Sequence, residues 1–272
     1  MRLNGKIILG GLGLHSGKEC ELIIEPCETP EILMNGHPLR SLRLSGTNRG
    51  SDYIFENDTR VRTCEHVLSA LTGLGIWSGV NVRVNGGEMP ALDGCGKLLS
   101  DEILRHRSNE NDIKATEISK PVIVHNDDRR RFVAAFPADR LHITYTVEYE
   151  FIGTQVFDYE HSSENYYNDI ASARTFAMLS DIEYLRAHGM ALGGSLDNAI
   201  VVGKEIQASG GLRWENEFVR HKILDLIGDL AAVGRPVKAH VIALRAGHEL
   251  HLKLAEKLRE QILKGEYILC QN

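Results

Sequence analysis

The chain has 272 residues, of which 43% are hydrophobic and 25% charged, enough for one large core or two smaller ones, and this excludes a disordered segment. A formal charge of -6 and a pI near 6.1 remove any electrostatic reason to expect nucleic acid or an anionic membrane as partner. Five scattered cysteines (20, 27, 64, 95 and 270) with no C-x-x-C pair exclude a disulfide framework and a cysteine zinc site.

The N-terminal MRLNGKIILGGLGLHSG lacks an apolar run of signal-peptide length, and no window approaches the roughly 18 apolar residues of a spanning helix. A cytoplasmic protein with no transmembrane segment is expected. GLGLHSG and the glycine pairs at 86 and 193 lack a Walker lysine or a Rossmann context and read as turns. ECELIIEP reads as a strand. In TRVRTCEHVLSALTGLG, Thr63 is a fair N-cap, and Glu65 and His66 fall in the first turn of a helix, where the macrodipole favours a carboxylate. VNVRV follows as an alternating strand.

The polar stretch SNENDIKATEIS, 108–119, reads as a linker and divides the chain into a first α+β domain over 1–110 and a second over 120–272. PVIVH, RRFVAAFP, LHITYTVEYEF and NAIVVG are strand-like, and His125, Asp127 and Asp128 read as a solvated turn. Ser180 with Glu183 makes a capping box for DIEYLRAH, which Gly189 is placed to stop. EFVRHKILDLIGDL is an amphipathic helix, and VKAHVIAL is a strand. AGHELHLKLAEKLREQILKG is a closing helix with Leu250, Leu254, Leu258 and Ile262 on one stripe and His248 at its entrance. His15 and His251 read as structural or exposed. Helix, glycine turn and alternating strand recur in both halves, a weak repeat that predicts two related domains with the starts of the two helices facing each other. Strands and helices mix without strict βαβ alternation, which favours an α+β layered sandwich.

Chemistry concentrates on EFVRHKILDLIGDL. His221, Asp225 and Asp229 stand at four-residue intervals and stack along one helix edge, opposite the arc of Ile223, Leu224, Ile227, Leu230 and Ala231. A solvated face usually carries Glu and Lys instead, and H-x-x-x-D can deliver two ligands to one metal. A catalytic zinc takes three protein ligands and keeps one position open, so His66, His221 and Asp225 are the candidate set. Glu65, beside a ligand, is the candidate general base.

TCEHVLSALTGLGI, MPALDGCG, ARTF followed by DIEYL, GGSLDNAIVV, ENEFVRHKILDLIGDL and AGHELHLKL, in that order, closely resemble the zinc-dependent UDP-3-O-acyl-N-acetylglucosamine deacetylases of lipid A biosynthesis. The similarity runs from GLGLHSG to the closing helix. The resemblance implies two related α+β domains, each a sheet layered against helices, with the active site between them. It implies Zn2+, or Fe2+, held by His66, His221 and Asp225, with Glu65 as general base. His248 would stabilise charge on the substrate and protonate the leaving amine, and Asp229 would orient it and favour its cation. Thr175 would help polarise the scissile carbonyl, Lys222 would reach toward the nucleotide end, and Phe176 would line the sugar or nucleotide pocket.

A second-domain insert including GGSLDNAIVV would enclose the acyl chain, and Leu192, Leu196 and Ile200 suit either that tunnel or a plain core strand. The chain departs from the family over 28–58, which is short and divergent, and at Met178, where an aromatic is common. The expected partner is a small molecule, a UDP-linked acylated N-acetylglucosamine, bound by a monomer. Two other classes compete. A non-heme ferrous oxygenase also uses two histidines and a carboxylate, but usually from strands with His and Asp two apart. A silent sugar-nucleotide-binding paralogue would need neither Glu65 nor His248.

Overall fold

The computed structural model describes residues 2–47, 49–108 and 114–269, so Cys270 and positions 109–113 of the expected linker lie outside the described residues. Period-2 alternation builds two sheets. In the first, β1 (Ile7–Leu12), β2 (Glu19–Pro26), β3 (Ile32–Met34), β4 (His37–Pro38) and β8 (Val80–Asn85) lie in the order β1-β2-β8-β3-β4. In the second, β9 (Val122–His125), β10 (Phe132–Pro137), β11 (His142–Tyr149), β12 (Gly153–Glu160) and β16 (Val237–Leu244) lie in the order β9-β10-β16-β11-β12. Each sheet is thus two hairpins flanking a central strand, antiparallel to one hairpin and parallel to the other. Alternate residues of the central strands, Val80, Val82 and Val84 in one and Val237, Ala239, Val241 and Ala243 in the other, face the core. Thr116–Glu117, within the expected linker, pairs with β16 and so joins the second sheet.

Each central strand follows a helix. α1 (Glu65–Gly73) precedes β8, and α4 (Glu217–Leu230) precedes β16. α1 and α4 pack on each other between the sheets, and both are buried almost all round, the polar edge of α4 included. Only His66 in α1, and Arg220 and Lys222 in α4, are not fully buried. The expectation that the two helix starts face each other needs correction: the start of α1 lies against the last turns of α4, with Glu65 beside Gly228. Gly228 makes this approach feasible, since a Cβ there would stand 2.0 Å from the Glu65 carbonyl oxygen. A mid-helix glycine costs roughly 1 kcal/mol of helix propensity relative to alanine, and here that cost accompanies contact between the helices that carry the candidate ligands.

Two smaller sheets flank this centre. β5 (Arg43–Thr47), β6 (Gly50–Ile54) and β7 (Arg60–Val61) form one, and β13 (Phe176–Met178), β14 (Ile200–Val202) and β15 (Ile206–Gln207) the other. α2 (Lys97–Arg105) packs on α1, α3 (Leu179–Ala187) follows β13, and the closing helix α5 (His248–Leu269) packs on α4 and β5. Its Leu250, Leu254, Leu258 and Ile262 are all buried.

Both expected side-chain caps are absent. Thr63 has a left-handed backbone (φ 58°), the cap position falls on Cys64, and the Thr63 hydroxyl turns to the buried Glu88 carboxylate at 3.3 Å. Ser180 lies inside α3, which starts at Leu179, and its hydroxyl faces the Asp181 carboxylate instead of closing a capping box. Gly189, at φ 70°, does follow the end of α3. GLGLHSG begins as the last two residues of β1 and turns only from Gly13, where it is pinned by Glu88, whose carboxylate accepts the main-chain N–H of His15 at 2.7 Å and of Ser16 at 2.9 Å.

Candidate active site

The edge of α4 that carries His221, Asp225 and Asp229 is not a solvated stripe: each of the three is 1% exposed. Burying an ionised carboxylate is costly without partners, so the neighbours of each decide what the stripe does. His221 donates its Nδ1 proton to the Ala173 carbonyl at 3.1 Å, which fixes the tautomer and turns the Nε2 lone pair toward Asp225 Oδ1, 3.3 Å away. Burial holds the His221 pKa down at about 3, so the ring is neutral. His66, from the first turn of α1, brings its Nε2 to 3.7 Å from the same Asp225 oxygen.

Asp225 divides its two oxygens. Oδ2 accepts a 2.8 Å hydrogen bond from the Lys222 ammonium and lies 3.6 Å from His248 Nε2. Oδ1, buried and facing both imidazoles, has no hydrogen-bond partner among the described residues. Burial would raise the Asp225 pKa, but the Lys222 and His248 cations outweigh it and hold the group well below the usual carboxylate range. An anionic oxygen without a donor, facing two imidazole Nε2 atoms, is a donor set of the kind that binds a divalent cation. The donor atoms of His66, His221 and Asp225 lie within 4.8 Å of one another, and the two rings stand at 87°. The residues therefore fit a divalent ion.

Glu65 is 3% exposed, and its Oε2 accepts the Ser51 N–H at 2.9 Å. Burial pushes its pKa upward against the lowering effect of His248 and His66, which makes the carboxylate a better proton acceptor. His248 begins α5 and is 4% exposed, with Nδ1 2.9 Å from Asp229 Oδ2. Burial disfavours its cation, but Asp229, Asp225 and Glu65 outweigh burial and lift the pKa to about 9.

Glu65, His66, Thr175, Phe176, Lys222 and His248 all line one cavity of about 350 Å3 that also reaches His221 and Asp225. Phe176 meets the His221 ring edge-on, with centroids 6.1 Å apart. Lys222 is tied to Asp225, so its reach outward is shorter than a free lysine's. Leu196 lines the cavity, but Leu192 is exposed and Ile200 lies in a small core with Val202 and Phe218. Of the three, Leu196 alone lines the cavity, and Ile200 is the core-strand residue.

Two partners escaped the sequence reading. Ser51 gives its hydroxyl to Asp229 Oδ1 across a sequence separation of 178, and no local signal marks it. His251, fully buried, places Nδ1 2.8 Å from Asp229 Oδ2, and its i+3 spacing from His248 on the same helix was the available signal.

The profile of the UDP-3-O-acyl N-acetylglycosamine deacetylase family (LpxC) matches residues 1–260. A UDP-3-O-acyl-N-acetylglucosamine deacetylase of Aquifex aeolicus is 38% identical over 264 residues, covering 94% of this chain and 91% of that relative. Enzymes of the same name from Nostoc sp. and Syntrophotalea carbinolica are each 34% identical, covering 91% and 94% of this chain and 94% and 86% of the relatives. By the match over residues 1–260 and by this identity along most of its length, the chain belongs to the UDP-3-O-acyl N-acetylglycosamine deacetylase family.

Proposed function

We propose that this protein hydrolyses the acetamide of a UDP-3-O-acyl-N-acetylglucosamine, releasing acetate, as the deacetylase step of lipid A biosynthesis. Family membership supports the reaction class, and it supports neither a ferrous oxygenase nor a silent binder. The observation that carries the chemistry is the buried, unpartnered Asp225 Oδ1 facing two imidazoles. His66, His221 and Asp225 hold the ion in this reading, Zn2+ before Fe2+, since two nitrogens and one carboxylate oxygen from helices suit zinc. When bound, such an ion supplies Lewis acidity, acidifying a water and polarising a carbonyl oxygen.

The chain's own groups supply the proton transfers. Glu65 takes a proton from the attacking water as the oxygen adds to the acetyl carbon. The imidazolium Nε2–H of His248 faces the cavity, stabilises the oxyanion and then passes its proton to the amine nitrogen as the C–N bond breaks. Asp229 lies outside the ion-binding set, so its support of the His248 cation persists in the loaded site. The Thr175 hydroxyl assists polarisation of the carbonyl. Leu179, Ile182, Leu185, Leu196 and Val201 give the cavity an apolar wall suited to the acyl chain. An adjoining cleft shares Phe176, Lys222 and His248 and adds Arg131 and Arg245, cations suited to the diphosphate.

The reading keeps two domains, 1–110 and 120–272, contributing Glu65 with His66 and His221 with Asp225 and His248 respectively. It also keeps a cytoplasmic monomer. No helix among the described residues is long and apolar enough to cross a membrane. The test is acetate release from the UDP-linked acylated sugar with metal analysis of the same sample. Absence of turnover in protein carrying one equivalent of zinc would overturn the proposal.

A further inference from the structure

Behind the His248–Asp229 pair the buried hydrogen bonds continue away from the cavity. His251 Nδ1 lies 2.8 Å from the same Asp229 Oδ2 that His248 Nδ1 occupies. His251 Nε2 lies 2.9 Å from the hydroxyl of Tyr145, a fully buried residue in the middle of β11. That hydroxyl is also 2.9 Å from the Ala246 carbonyl, two residues before α5. Neither Tyr145 nor His251 lines the cavity.

We propose that His251, held by Tyr145, is a positioning residue for the reaction: its Nδ1–H clamps the Asp229 carboxylate in the plane from which that carboxylate aims His248. The inference rests on the reading of His248 as the acid. Asp229 accepts from three directions, with Ser51 on Oδ1 and two imidazoles on Oδ2. Burial raises its pKa, but the two histidines outweigh that and keep the group below its usual range, so it is ionised. An ionised carboxylate only accepts, so both Nδ1 atoms on Oδ2 must carry protons. Burial lowers the His251 pKa, so the ring that donates from Nδ1 to Asp229 accepts at Nε2, and the single Tyr145 proton goes to that nitrogen. Without that donor the carboxylate keeps Ser51 and His248 alone and is free to turn about its Cβ–Cγ bond, carrying the His248 ring off its line.

The geometry distinguishes this role from plain packing through two amides. The Asn side-chain nitrogen falls near the position of imidazole Nδ1, whereas that of Gln falls near Nε2. His251→Asn should therefore keep most of kcat. His251→Gln should lower kcat by roughly 10- to 100-fold, the range for groups that orient a functional side chain, with KM and bound metal unchanged. Equal loss in both amides, or a loss confined to KM, would overturn the proposal.

Tyr145→Phe keeps the core volume and should lower kcat without lowering metal content. An unchanged kcat there would remove Tyr145 from the chain. 15N–1H correlation of the histidine rings in metal-free protein reads the clamp even where a His251 variant fails to fold. A protonated Nδ1 on His251 is expected, and an unprotonated one defeats the proposal. If His248→Ala and Asp229→Asn also leave kcat untouched, the acid assignment itself falls. If those two lose activity while His251→Gln does not, only the positioning role falls.

Discussion

Two histidines and an aspartate come together at two places outside the His248 network, within the same 4.8 Å limit, and they are built to different ends. His66, His221 and Asp225 sit between α1 and α4, whereas His142, Asp158 and His240 lie on the open face of the second sheet. On that open face Asp158 Oδ1 accepts from the Thr144 hydroxyl at 2.6 Å and from His142 Nε2 at 2.8 Å, and the Asp158 side chain is 65% exposed. The His142 and His240 rings stack nearly parallel, at 8° and 4.2 Å between centroids. A ring nitrogen directs its lone pair in the ring plane, and two stacked parallel planes share no point where an ion could bind both. The His66 and His221 planes cross at 87°, and the carboxylate oxygen between them is unsatisfied. Ligand types and proximity are alike in the two clusters. Unsatisfied valence and crossed ring planes separate them.

The largest expected effect tests that separation directly. His221→Ala should lose metal and activity together, while His240→Ala should lose neither, as metal analysis beside acetate release will read. Equal metal loss in both variants would erase the distinction. Glu65→Ala sharpens it from within the buried site: turnover should fall by roughly 10²- to 10⁴-fold, as for loss of a general base, with metal retained. A fall in metal equal to the fall in rate would make Glu65 a ligand instead.

Burial of the first cluster depends on the close approach of two helices. Gly228→Ala would drive a methyl group into the Glu65 carbonyl oxygen and should destabilise the protein by about 1–3 kcal/mol, the usual penalty of overpacking, measured by denaturant unfolding. An unchanged midpoint would show that α1 and α4 can part without loss.

A pH prediction follows from His248. Its pKa is raised, to about 9, so the cation is present below that value and is lost as pH rises through it. Activity should decline on the basic side accordingly, and Asp229→Asn should move that limb downward while metal stays bound. A limb that stays in place would leave Asp229 with no electrostatic part. The smallest effect is expected at the open cluster, where His142→Ala should change stability by no more than about 0.5 kcal/mol, as for most surface positions.

Much of this was legible before the fold. Periodicity is a property of a few consecutive residues, so β2, β11, β16 and α4 and the stacking of His221, Asp225 and Asp229 follow from spacing alone. Glu65 and His66 at the start of a helix, and His248 at the entrance of another, were equally local. Chain order and motif identity carried the family. What the tertiary structure decided was which polar groups are buried and who satisfies them. Spacing could not show that the α4 stripe faces inward, that Asp225 Oδ1 lacks a donor, or that Ser51 and His251 converge on Asp229. Nor could it show that Thr63 gives its hydroxyl to Glu88 in place of capping α1. Burial and hydrogen-bond satisfaction depend on whatever the rest of the chain brings within 3 Å or so, and those partners lie far away in sequence.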